Sequence, residues 1–140
     1  MRVVLDTVIL VRGLINPRSR CGRLIFDHAG AYQTILSSSI IAEYLAVLWC
    51  PELLRKYRGE AGRDPHAILD LIARATLVEP ADTPAICRDP EDDKFLALAK
   101  TGDARFIVTE DADLLDIGTY ETTTIVSAEV FLRMLDAAEI

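Results

Sequence analysis

Short β-branched apolar runs, each followed by a segment of helical spacing, constrain this chain more than any other feature. Val3-Val4-Leu5 opens the series and Asp6 ends it. Consecutive apolar residues without alternation fit a strand buried on both faces of a parallel sheet. Thr7-Val8-Ile9-Leu10-Val11 then runs apolar to Gly13 as a short helix leaving that strand. Further strands are predicted at residues 32 to 36, 76 to 79, 105 to 108 and 124 to 126. Helices are predicted at 21 to 29, 39 to 49, from Asp64-Pro65 to Ala75, from Asp89-Pro90 to about Thr101, and after Ser127. In the last of these Val130, Phe131, Met134 and Leu135 are read on one side, with Met134 as core filling. Strands alternating with helices predict an α/β fold with a parallel sheet and right-handed crossovers. No repeat, linker or low-complexity segment divides the chain, so its 140 residues, about half apolar at 51%, are expected to form a single domain over 1–140.

Composition excludes several classes. No run approaches the roughly 18 apolar residues that a membrane span needs, and Met1-Arg2 leads directly into the first strand, so a cytoplasmic protein is expected. Three cysteines, widely spaced and without a C-x-x-C pair, suggest neither a disulfide framework nor a zinc site. His28 and His66 lack ligand-like neighbours and are expected at the surface. The net charge of −7 is uneven: residues 1 to 74 hold 10 Lys/Arg against 7 Asp/Glu, a net +3, and residues 75 to 140 hold 5 against 15, a net −10. Arg12, Arg18 and Arg20, with Arg23, gather around one turn, and Arg55, Lys56 and Arg58 form a second basic strip. Both can contact phosphates, so acidity alone does not exclude a nucleic-acid partner.

The acids are placed where chemistry collects. Asp6 and Asp111 both follow apolar strands, at the sheet edge where functional groups gather in open α/β folds. For Asp6 alone, capping the next helix is the plainer role. Glu43 is the one charge on a nearly wholly apolar helix, flanked by Ile40 and Val47. Arg88-Asp89-Pro90-Glu91-Asp92-Asp93-Lys94 starts a helix with more acid than a start requires. Asp89 is the predicted cap. At about 100° per residue, Asp92 falls amid Phe95, Leu96 and Ala99, with Asp93 at the margin of that face. An acid turned into an apolar face needs a partner charge or a metal. Asp6, Glu43, Asp92 and Asp111 can therefore converge on one cleft, and oxygen-only ligation points to Mg²⁺ or Mn²⁺. Such a site can activate water against a phosphodiester.

In Val3 to Thr7, Ser38 to Leu48, Arg88 to Ala99 and Val108 to Leu115, in that order, the chain resembles the PIN-domain family of metal-dependent ribonucleases, and in particular the toxins of bacterial toxin–antitoxin pairs. The resemblance covers essentially the whole chain and implies a three-layer α/β/α sandwich around a central parallel sheet of four to five strands. It implies that Asp6, Glu43, Asp92 and Asp111 are catalytic metal ligands, with Asp93 and Asp113 as auxiliaries and Thr7 and Thr109 in support. It also implies cleavage of single-stranded RNA, a homodimer or higher homo-oligomer, and a cognate antitoxin. Relatives carry Asp-Thr-Asn where this chain has Asp6-Thr7-Val8, and Glu110 adds a charge near the cleft. The missing amide leaves an alternative, a catalytically impaired module that binds RNA or antitoxin without cutting.

Overall fold

A computed structural model describes residues 1–52, 55 and 66–138. In chain order these form β1 (Arg2–Leu5), α1 (Thr7–Ile15), α2 (Arg20–Gly22) running into a wider π-type turn (Arg23–Asp27), a 3₁₀ turn (Ala29–Ala31), β2 (Gln33–Leu36) and α3 (Ser38–Leu48). Then follow α4 (His66–Arg74), β3 (Thr76–Leu77), a 3₁₀ turn (Pro90–Asp92), α5 (Asp93–Thr101), β4 (Phe106–Val108), α6 (Ala112–Ile117), β5 (Thr119–Tyr120), β6 (Thr123–Val126) and α7 (Ala128–Ala138).

The strands make one sheet of six in the order β3-β2-β1-β4-β6-β5. Every pairing is parallel except that of β5 with β6. Sequence reading expects four to five strands; the sixth, β5, is a two-residue antiparallel edge. Val3, Val4 and Leu5 are all fully buried. Successive side chains of a strand point to opposite faces, so both faces of the sheet are covered. From β1 the chain builds outward through β2 and β3 on one side, then returns to lay β4 and β6 on the other. The boundary between β1 and β4 is thus the switch point of the sheet, where open α/β folds bind their ligands beyond the strands' carboxyl ends.

Register brings three strand ends level there. Leu5 pairs with Val108 and Val108 with Val126. The chain stays paired one residue beyond each strand, with the Asp6 amide donating to Val108 O at 3.0 Å and the Thr109 amide to Val126 O at 3.0 Å.

Three predicted details are corrected. The helix expected over residues 21 to 29 breaks into α2 and the π-type turn. Gly22 packs so closely on Pro17 that a Cβ would stand 2.3 Å from its carbonyl oxygen. Met134, read as core filling, and Val130, read on the same side as Phe131 and Leu135, are 40% and 39% exposed. The buried stripe of α7 is Ala128, Phe131, Leu132 and Leu135, an i, i+3, i+4, i+7 set that leaves 130 and 134 on its flank. Phe131 centres this stripe, edge-on to Tyr32 at 5.5 Å and tilted against Phe106 at 5.6 Å. His28, expected at the surface, is only 5% exposed, because Asp136 of the last helix comes to 3.2 Å from its Nε2; His66 is exposed as expected.

Candidate functional site

The site grows from the level ends of β1 and β4. Asp6 follows β1 at the start of α1, 6% exposed, and makes no capping hydrogen bond to that helix. Asp6 stands at the N-cap position of α1, and the Val8 amide of that helix lies close enough to favour its charged form. Its Oδ2 accepts a 2.7 Å hydrogen bond from the hydroxyl of Thr109, which is fully buried. The same hydroxyl accepts from the Asp111 amide at 3.0 Å. Thr109 thus ties the end of β1 to the turn that presents Asp111. Asp111 in turn starts α6, its Oδ1 accepting the Asp113 amide at 3.1 Å.

Asp92 completes this group from the other side. Its carboxyl hydrogen-bonds that of Asp111, and its pKa is pushed up to about 7. Burial is the largest cause, followed by the bond to Asp111, the charge of Asp111 and that of Asp6. Asp6 is raised as well, by burial first, against the opposing Thr109 bond, with the charges of Glu43 and Asp111 adding to it. Carboxyls that face one another without a cation share protons in this way.

Glu43 reaches the same edge from α3. Its neighbour Tyr44, buried, donates its hydroxyl to Leu5 O, the last residue of β1, and so fixes where α3 begins to cross the site. Burial holds the Tyr44 hydroxyl protonated, far above its ordinary range. The two Glu43 oxygens are both engaged, Oε2 by the Thr7 hydroxyl and Oε1 by the Lys94 ammonium. Lys94 is the residue that sequence reading missed. Its position one turn after Glu91, 3.7 Å from that carboxylate, is visible in the sequence as an i, i+3 pair. Its pairing with Glu43 requires the contact between α3 and α5, which no local pattern announces.

The auxiliary acids have other partners. Asp93 is 4% exposed, more buried than Asp92, and its Oδ1 accepts the Ile86 and Cys87 amides at 3.1 and 2.7 Å. It fastens the preceding loop instead of joining the acids, and those bonds lower its pKa. Asp93 lies three and four residues before Leu96 and Ala97, both buried, so its face of the helix is covered as well, and the 86–87 loop closes over it. Asp89 caps the 3₁₀ turn (Pro90–Asp92) through the Glu91 amide at 3.0 Å, as predicted. Asp113 faces Arg88 at 4.0 Å. Glu110 leaves the cleft to accept the Ala128 amide at 3.1 Å, capping α7.

Of the basic residues, Arg12, Arg18 and Arg55 are exposed, and Lys56 and Arg58 lie outside the described residues. Arg20 pairs with Glu129 at 3.9 Å, and Arg23 with Asp136 at 3.2 Å. Arg12 and Arg20 lie near the Cys21 thiol together with Glu110, the residue before Asp111; burial chiefly, with the Glu110 charge, pushes that thiol up to about 11. Arg88, its side chain 85% exposed beside Asp113, is a further cation that sequence reading did not single out.

Among the described residues no three His, Cys, Asp or Glu side chains are gathered into a ready-made metal cage. The donor chemistry nevertheless fits a hard divalent cation. Asp6, Asp92 and Asp111 offer only oxygens, and their charges act on one another across the site.

An uncharacterised protein of Methanocaldococcus jannaschii, MJ1680, is 32% identical over 120 residues, which cover 84% of this chain and 75% of that protein. The sequence model of the PIN domain matches residues 2–113, a span that contains β1, α3, α5, β4 and every acid of the site. The chain therefore belongs to the PIN-domain family.

Proposed function

We propose that the protein is a metal-dependent endoribonuclease that cuts phosphodiesters in single-stranded RNA with Mg²⁺ or Mn²⁺, and that it acts in the cytoplasm as the toxin of a toxin–antitoxin pair. PIN domains are generally nucleases and typically use divalent metal ions. The observation that carries the finer reading is geometric: one buried Thr109 hydroxyl joins Asp6 to the turn that presents Asp111, at the switch point of the sheet, with Asp92 facing Asp111.

In this reading Asp6, Asp92 and Asp111 hold the cation, with Glu43 beside them. Bound there, it would lower the pKa of an attacking water and take up charge on the leaving oxygen. Thr109 orients Asp6 and the Asp111 turn through one hydroxyl. Arg12, Arg18, Arg20 and Arg88 position the phosphate backbone, contacts that carry affinity without reading sequence. A single strand suits such a site, because its backbone can bend to bring one phosphate to the acids. A cognate antitoxin and a homodimer complete the proposed assembly. No helix among the described residues is long and apolar enough to cross a membrane, in keeping with a cytoplasmic site of action.

Val8 supports a second reading, an impaired module that binds without cutting. It stands in the first turn of α1, 39% exposed, and gives Asp6 only its backbone amide where relatives add a polar side chain. One assay separates the readings. The protein is incubated with mixed-sequence single-stranded RNA and Mg²⁺ or Mn²⁺, and the products are resolved by length. Cleavage that EDTA stops is the expected result. RNA left intact by both the wild type and Val8→Asn contradicts the nuclease.

A further inference from the structure

Lys94 comes from the start of α5, and its ammonium meets Glu43 of α3 across the contact between those helices. Its side chain is only 20% exposed and that of Glu43 31%. The pair is therefore less screened than one on the surface, and the attraction correspondingly stronger. Glu91 at 3.7 Å and the Phe95 ring, its centroid 5.7 Å from Nζ, hold the ammonium from two further sides. On the other side of the carboxylate the Thr7 hydroxyl takes Oε2. Glu43 is thus satisfied at both oxygens without a metal. Among the described residues no lysine or arginine forms an ion pair with Asp6, Asp92 or Asp111.

Two kinds of carboxylate therefore share the edge of the sheet, one already neutralised by a cation of the chain and three that are not. We propose that Lys94 is a positioning residue that takes the place of a second metal ion: it keeps Glu43 from direct ligation, so that the site binds one divalent cation, on Asp6, Asp92 and Asp111. A second divalent ion on Glu43 would have to displace the ammonium or sit a few ångströms from it, where like charges in a partly desolvated cleft repel strongly. Two-metal phosphodiesterases place their ions about 3.5–4 Å apart and divide the attacking and leaving oxygens between them. Here the chain supplies one of the two positive charges. The inference rests on the metal-site reading above and adds to it the number of ions and the role of Glu43.

The test counts Mn²⁺ bound to the full chain, by the electron paramagnetic resonance signal of the free ion, at about 0.15 M salt so that surface acids are screened. The wild type and Lys94→Arg should each take up one tight equivalent. Lys94→Met, which frees Glu43, should take up a second. Glu43→Gln should keep the single equivalent, and this variant carries the test if Lys94→Met does not fold. Two equivalents in the wild type, a folded Lys94→Met that stays at one, or loss of the ion in Glu43→Gln each overturn the role of Lys94 while leaving a metal site in place. No bound Mn²⁺ in the wild type overturns the metal-site reading as well.

Discussion

Thr109 has no solvent exposure and one hydroxyl, which donates to Asp6 and accepts from the Asp111 amide. Replacing it by valine keeps the volume but leaves a buried carboxylate without its donor and an amide without its acceptor. Removing a group that orients a metal ligand costs about 10- to 100-fold in affinity or activity. Thr109→Val is therefore expected to weaken both Mn²⁺ binding and RNA cleavage by that order while the far-ultraviolet circular dichroism stays native; unchanged metal affinity and cleavage would remove Thr109 from the site. At this scale the sequence was legible wherever a strand end placed an acid, as at Asp6 and Asp111. It misled where a loop folds back: the Ile86 and Cys87 amides close over Asp93 and leave it more buried than Asp92, a contact that no helical wheel carries. The partner of Glu43 was not legible either, since Lys94 lies 51 residues away and meets it only through helix packing.

Helix α3 shows how an element is aimed at the site. Ser37 caps it by accepting the Ile40 amide at 3.3 Å. Tyr44 ties it to β1, and Glu79 accepts both the amide and the hydroxyl of Ser38 at 2.6 Å. Those two bonds lower the Glu79 pKa. A carboxylate whose folded pKa is depressed stabilises the fold above its unfolded pKa, about 4.3 for glutamate, and loses that contribution as pH falls through the folded value. Glu79→Gln should therefore lower Tm at pH 7, and the gap to wild type should close in acid, below about pH 4. A gap that stays constant with pH would mean that the charge of Glu79 is not what caps α3. The parallel strands were readable from their β-branched runs. β5 was not: it is two residues long, and its link to β6 turns at Glu121 with φ 54° and no glycine. The usual Asn-Gly or Asp-Gly sign of a hairpin is missing there.

Over the whole molecule, the uneven charge seen in the sequence becomes an arrangement. The acid-rich second half contributes Asp92 and Asp111, while the more basic first half contributes Asp6 and Glu43. The doubly wound order of the sheet brings the two halves together, because the β1–β4 boundary is also where the chain reverses its direction of building. The family was legible from four short segments in order, and the match over residues 2–113 bears it out. Substrate and biological role are carried by no comparable pattern, since recognition of single strands depends on groove shape and stacking. The central claim is that Asp6 and Asp92 hold a catalytic divalent cation. Its most direct test is the rate of single-stranded RNA cleavage by wild type, Asp6→Asn and Asp92→Asn, each with Mn²⁺ and with EDTA. Loss of a ligand should lower the wild-type rate by at least about 100-fold in both variants, to the level seen with EDTA. Cleavage that persists in EDTA and is unchanged by both substitutions would contradict it.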